Sequence, residues 1–159
     1  MWLRSPDRGR DRGSKTMKLA LITDIHANRE ALEAVLDHAT TQGVGRIAFL
    51  GDYVGYGADP GWVVDVVREH VAAGAIAVVG NHDAGAAGGV TSTMAAGARR
   101  GVLWSRARLS EPQIEFLRTL PLTASLGQFL FVHANAYAPE RWDYVLDRIS
   151  AARSMRATR

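Results

Sequence analysis

KLALITDIHAN, residues 18–28, decides how this chain folds. Residues 18–23 form a short, largely apolar run suited to a buried strand, and the run ends on Asp24-Ile25-His26. The same grammar recurs downstream. Residues 46–50 read as a strand and end at Gly51-Asp52, residues 75–79 end at Gly80-Asn81-His82-Asp83, and residues 129–132 end at His133. Between the first three runs lie two helical stretches. Over residues 28–41, Ala31, Leu32, Val35, Leu36 and Ala39 recur at helical spacing, and Gly43 suits the stop. Asp59-Pro60 then looks like an N-cap followed by a first-turn proline; Val63, Val66, Val67 and Val71 share one face, and Gly74 ends it. Strand, helix, strand, helix, strand implies parallel strands joined by right-handed crossovers. In such sheets the working site lies beyond the carboxyl ends of the strands, where the first three clusters all fall.

Residues 84–97 are rich in Gly, Ala, Ser and Thr and read as a connection, either a lid near the site or a plain loop. They hold no G-x-x-x-x-G-K phosphate loop. Helices are expected over 98–108 and 111–120, the second with Ser110 as N-cap. Leu126-Gly127 separates strand-like residues 123–126 and 129–132, which suggests a hairpin. A last helix is expected after Tyr144.

The 159 residues suffice for one domain with a real core. No apolar run approaches the roughly 20 residues that span a bilayer, so no membrane association is expected. Without a secretory signal, a cytoplasmic location is the default. The absence of cysteine excludes disulfides, thiolate metal sites and a cysteine nucleophile. The sequence pI of about 9.7 invites a nucleic-acid reading, but the cations crowd the two ends. Residues 17–147 hold more acidic than basic side chains, so no specific nucleic-acid partner is expected. Residues 1–16 lack periodicity and read as disordered, or as a mis-called extension with Met17 the true start.

Asp, His and Asn are donors for hard or borderline divalent cations, and a two-cation site needs such groups from several segments. The ordered set D-x-H, G-D, G-N-H-D and a later H resembles the calcineurin-like metallophosphoesterases, of the small single-domain bacterial phosphodiesterase and phosphatase type. Thr23-Asp24-Ile25-His26-Ala27-Asn28, Gly51-Asp52-Tyr53-Val54-Gly55-Tyr56-Gly57 and Leu120-Pro121-Leu122 extend the likeness. The resemblance implies an α/β fold, a four-layer α/β/β/α sandwich, with residues 17–159 as its domain. It also implies a metal-dependent phosphoesterase acting on a small phosphorylated substrate, a phosphodiester or a phosphomonoester. Two divalent cations and a hydroxide held between them would carry the reaction. On that likeness Asp24, His26 and Asp52 hold the first cation, and Asp52, Asn81 and His133 the second. His82 stabilises the transition state or protonates the leaving group, and Asp83 orients it. With oxygen and nitrogen donors, Mn²⁺ is favoured over Fe²⁺ or Zn²⁺. Asn28, Arg99 and Arg100 are further candidates for substrate contact.

Other residues read as structural. His38 and His70 sit in last helical turns, where imidazole suits the dipole. Trp62 and Trp104 fit apolar core positions, while Trp142 and Tyr144 either wall the site or pack. The family's last motif, G-H-x-H, is missing, and no histidine follows His133. The expectation is therefore a sandwich incomplete at its C-terminus, with an unpaired sheet edge favouring a homo-oligomer. A non-enzymatic scaffold or an inactive fragment of the same fold is the alternative.

Overall fold

The computed structural model describes residues 17–158; the readings of residues 1–16 lie outside them. Strands β1 (Leu19–Ile22), β2 (Arg46–Phe49) and β3 (Ile76–Ala77) form a parallel sheet in that order. Helices α1 (Arg29–Thr41) and α2 (Pro60–Ala72) are the crossovers. Ile22 pairs with Phe49, and Phe49 with Ala77, so the three strands end level with one another. A second sheet is the antiparallel hairpin β4 (Thr123–Leu126) and β5 (Phe129–Val132), with the boundaries the sequence suggests.

Period-two alternation along β2 builds two cores from one strand. Ile47 and Phe49 face the helices, in a cluster with Leu32 of α1, Val63, Val64 and Val67 of α2, and Leu117. Ala48 and Leu50 face the other way and meet Phe131, Ala124 and Leu126 of the hairpin, together with Val78. Fully burying a side chain such as Phe49 contributes about 1.5–3 kcal/mol. The expected packing of two sheets face to face, with helices outside the first, is thus present. Helix α5 (Glu111–Thr119) packs on α2 and covers the same side. Its Gln113 side chain caps Ser110 N at 2.9 Å and reaches Asp65 of α2 at 2.9 Å.

Four local readings are corrected. The third strand is expected over 75–79, but only Ile76–Ala77 pair, because Val79 N donates to Pro121 O at 2.9 Å. Asn81–Ala86, with turn-like composition, is a short helix, α3. Helix α4 (Ala96–Arg106) starts two residues earlier than periodicity suggests. Trp104 on α4 is 37% exposed, and the Arg108 guanidinium covers its ring at 3.6 Å; Trp62 does pack on the core. Beyond β5 lie a short 3-10 turn, Pro139–Arg141, and helix α6 (Arg148–Arg156). Among the described residues no helix is long and apolar enough to cross a membrane.

Candidate metal centre

The three parallel strands deliver their clusters to one place. The turn after β1 is stitched to the turn after β2: Asp24 N donates to Gly51 O at 3.1 Å, His26 N to Asp52 O at 2.9 Å and Ala27 N to Tyr53 O at 2.7 Å. These bonds hold Asp24, His26, Ala27 and Asp52 at φ of 53°, 50°, 55° and 57°. Left-handed backbone at non-glycine residues is costly and persists where its surroundings over-determine it.

Asp52 is the hub, 3% exposed. Its Oδ1 accepts the His82 N–H at 2.9 Å, which fixes the carboxylate plane. Its Oδ2 lies 3.8 Å from His26 Nε2 and 3.5 Å from His133 Nε2. His26 Nε2 is also 3.7 Å from Asp24 Oδ1, and His133 Nε2 is 3.3 Å from Asn81 Oδ1. Both imidazoles commit their other nitrogen to a carbonyl: His26 Nδ1 to Val54 O at 3.1 Å and His133 Nδ1 to Leu50 O at 2.7 Å. A proton on Nδ1 leaves Nε2 with a lone pair for a cation, the arrangement typical of histidine ligands. Thr23 Oγ1 donates to Asp24 Oδ2 at 2.6 Å and steadies the most exposed donor.

All five residues read as ligands are therefore gathered around Asp52 Oδ2. The donor atoms also form two compact groups, His26, Asp52 and His82, and Asp24, Asp52 and His133, each within 4.8 Å of one another. His82 is thus closer to the donor cluster than its expected role outside it suggests. The donor set, carboxylate, amide oxygen and imidazole without thiolate, fits hard or borderline divalent cations.

Two glycines make this approach feasible. A Cβ on Gly80 would land on the Asp52 carboxylate and backbone N. One on Gly51, at φ +95°, would meet Gly80 N at 2.7 Å and His133 Nδ1 at 2.9 Å.

Asp83 does not contact the His82 ring as expected. Its carboxylate accepts four backbone N–H groups: Asp52 at 2.7 Å and Gly80 at 3.0 Å on Oδ2, Tyr53 at 2.8 Å and Val54 at 3.2 Å on Oδ1. The physical reason is its place at the third position of α3, where an acidic side chain turns back onto the cap. Burial, then the nearby Asp52 charge, push its pKa up to about 7, against the pull of those N–H groups. His82, 5% exposed, keeps a buried Nδ1 with no partner, and burial lowers its pKa. Burial alone would also lower His133, but contact with the Asp52 carboxylate outweighs it and raises its pKa to about 9. Asp52 mirrors this: burial raises it, and His133 more than compensates, so its pKa falls.

The substrate candidates separate. Asn28 caps α1, its Oδ1 accepting from Ala31 N at 3.0 Å, and it lines a groove with Asp24 and His26. Arg100 lines a neighbouring groove with Tyr56 and Trp104, and Arg99 and Arg100 both line another beside Met94 and Leu103. Tyr56 has no expected role beyond its place in the Gly51–Gly57 likeness. Its ring packs on His26 and His82 at 4.8 and 4.9 Å, at φ +63° and 61% exposed. An aromatic flanked by Gly55 and Gly57 is the signal the sequence offers. Trp142 approaches His133 at 6.1 Å and, with Tyr144, lines the cavity beside the donors, so both wall the site.

The sequence pattern defining the calcineurin-like phosphoesterases matches residues 17–152. The chain belongs to this family. An uncharacterised protein of Methanocaldococcus jannaschii is 38% identical over 134 residues, 80% of this chain and 53% of that protein. The crystal structure of a metallophosphoesterase from Sphaerobacter thermophilus is similar with a TM-score of 0.74 and 35% identity, over 89% of this chain and 56% of that one. A hypothetical protein from Pyrococcus horikoshii shares the fold at a TM-score of 0.69 and 19% identity, over 89% and 65% of the two chains. This member of the family spans about half the length of the first two relatives.

Proposed function

We propose that this chain carries a two-cation phosphoesterase centre that hydrolyses a phosphodiester or phosphomonoester. Asp24, His26 and Asp52 hold one cation, and Asp52, Asn81 and His133 the other. The observation that carries this is the position of Asp52 Oδ2, 3.8 Å from one imidazole nitrogen and 3.5 Å from a second. That oxygen is left open because Oδ1 is already bonded to His82 N. Mn²⁺ is the proposed occupant, and the same oxygen and nitrogen donors also accept Fe²⁺ or Zn²⁺. When bound, two such cations polarise the phosphoryl oxygens and supply the nucleophile for in-line displacement.

The chain's own groups do the rest. His82 is neutral near pH 7, since burial lowers its pKa. With Nδ1 buried and unpartnered, the proton belongs on Nε2, because an orphaned acceptor costs less than an orphaned donor. His82 then serves as a hydrogen-bond donor to phosphoryl oxygen in the adjoining cavity, stabilising charge that develops in the transition state. Asp83 acts one step back, fixing the backbone of residues 52–54 and 80 from which Asp52 and Asn81 project. The presence of His26, Asn81 and His82 favours hydrolysis over the scaffold alternative.

Hydrolysis of bis(p-nitrophenyl) phosphate with added Mn²⁺, beside the Asp52→Asn variant, tests the proposal. Mn²⁺-dependent turnover that falls to background in a folded variant is the expected result. Equal rates and equal Mn²⁺ binding in the two proteins would refute it.

A further inference from the structure

A cavity of about 740 Å³ opens beside the donor cluster, reaching Asn81 and His82. Three aromatic rings line it: Tyr56, Trp142 and Tyr144. Tyr56 is 61% exposed and Tyr144 75% exposed, so both rings present surface to solvent. Tyr56 rests on His82 and Trp142 on His133, so the rings are seated on the imidazoles of the site. Both stand on left-handed backbone, at φ 63° and 59°, which bulky residues rarely adopt. The same cavity is edged by polar groups, Thr93, Glu140 and Arg141.

We infer, on the phosphoesterase reading above, that this cavity receives the organic part of the ester and selects a nucleobase. The phosphate lies at Asn81 and His82 while the base stacks on Trp142 and Tyr144. A sugar phosphate offers hydroxyl groups but no flat face for these rings. A phenyl ester offers a face but nothing for Glu140, Arg141 and Thr93 to bond. A nucleobase offers both a face to stack and an edge of donors and acceptors. The cavity volume lies in the range that takes a whole small ligand.

The test is equilibrium binding to the full chain in Mn²⁺ by titration calorimetry, with inorganic phosphate, ribose 5-phosphate and adenosine 5′-monophosphate as probes. Adenosine monophosphate should bind about ten-fold or more tighter than ribose 5-phosphate, the usual return on one stacked base. In Trp142→Ala and Tyr144→Ala that ratio should shrink toward one, and Trp142→Phe should restore most of it. The ratio is read within each variant, so general damage does not mimic the effect. Phosphate binding with no preference for the nucleotide in the wild-type chain overturns this inference and leaves the cation centre standing. A preference that survives the double alanine variant overturns it equally. Failure of the wild-type chain to bind phosphate at all, with or without Mn²⁺, overturns the phosphoesterase reading and this inference with it.

Discussion

Replacing Gly80 by alanine adds one methyl group, changes no candidate ligand, and leaves a backbone, φ −103° and ψ 170°, that alanine adopts freely. The methyl still has no room, because it would overlap Asp52 Oδ1 and Asp52 N. Neither neighbour yields cheaply. Asp52 N is tied to Asp83 Oδ2 at 2.7 Å, and Oδ1 holds the His82 N–H at 2.9 Å. Overpacking of this kind costs about 1–3 kcal/mol, and the charge-assisted bond to Oδ1 is worth about 1.5–3 kcal/mol. The expected loss is therefore about 2.5–6 kcal/mol from a total stability on the order of 5–15 kcal/mol. Since Oδ2 turns with Oδ1, the variant should also bind Mn²⁺ at least about ten-fold more weakly. Urea unfolding by circular dichroism in EDTA reads the first effect, and calorimetric Mn²⁺ titration the second. Gly74→Ala is the control: φ is +102° there and no atom lies within 4 Å of the added carbon, so only the backbone penalty of about 1–2 kcal/mol applies. If Gly80→Ala unfolds within about 0.5 kcal/mol of wild type and binds Mn²⁺ as tightly, the packing that fixes Asp52 has been misread.

Other outcomes follow from the same contacts. Gly97 lies in α4 with nothing within 4 Å of an added Cβ, so Gly97→Ala should stabilise by about 0.5–1 kcal/mol and raise the melting temperature; a lower melting point would contradict it. Asp83→Ala should destabilise the metal-free protein far more than Asp24→Ala, although only Asp24 is read as a ligand. Asp83→Ala leaves four backbone N–H groups without their acceptor, at about 1–3 kcal/mol each when they stay dry; Asp24→Ala loses an exposed hydrogen bond from Thr23 and a 3.7 Å approach to His26. Equal urea midpoints for the two variants would refute this ranking. The pH dependence has a definite sign. His133 has a folded pKa raised to about 9, so in metal-free protein its contribution is full below about pH 6.5 and is lost as pH rises through about 9. The metal-free urea midpoint should fall across that window more steeply than in His133→Gln. Mn²⁺ affinity should rise over the same window, because the imidazole must shed its proton to bind. A flat affinity profile from pH 6.5 to 9 would count against His133 as a ligand.

The sheet and the donors were legible because local and global signals agree. Leu32 and Ala39 recur at helical spacing on α1 and are buried there. The break at Leu126-Gly127 sits in a tight hairpin that pairs Leu126 with Phe129. Asp24, Asp52 and Asn81 each closely follow a short apolar run suited to a buried strand, so the parallel topology brings them together. Misreadings arose where long-range contacts override local pattern. Nothing in residues 75–79 reveals that Val79 turns its N–H to Pro121, some forty positions away. The family resemblance sets Asp83 to orient the His82 ring. Helix geometry instead sends a third-position acid back to its cap, and Gly80 followed three residues later by an acid was the overlooked sign. Trp104 fits an apolar stripe on α4, but Arg108 one turn on shields it in place of the core.

The strained turns that carry the candidate donors are bonded to one another in detail. Five non-glycine residues with positive φ, Asp24, His26, Ala27, Asp52 and Tyr56, fall within two short turns beside one another. At about 1–3 kcal/mol each, the sum would rival the stability of a domain this size unless the turns were bonded in detail. They are: the first turn donates to Gly51, Asp52 and Tyr53 carbonyls, and the N–H groups of Gly57 and Asp59 return to His26 and Ala27 carbonyls. Asp83 then ties the second turn to the end of β3 through Asp52, Tyr53, Val54 and Gly80. Each strained residue that carries a donor thus has its backbone held by the neighbouring turn rather than by its own ligand contact. On the proposed reading, a cation at Asp52 Oδ2 would meet donors whose backbone is already ordered by these bonds, which lowers the cost of binding by so few groups.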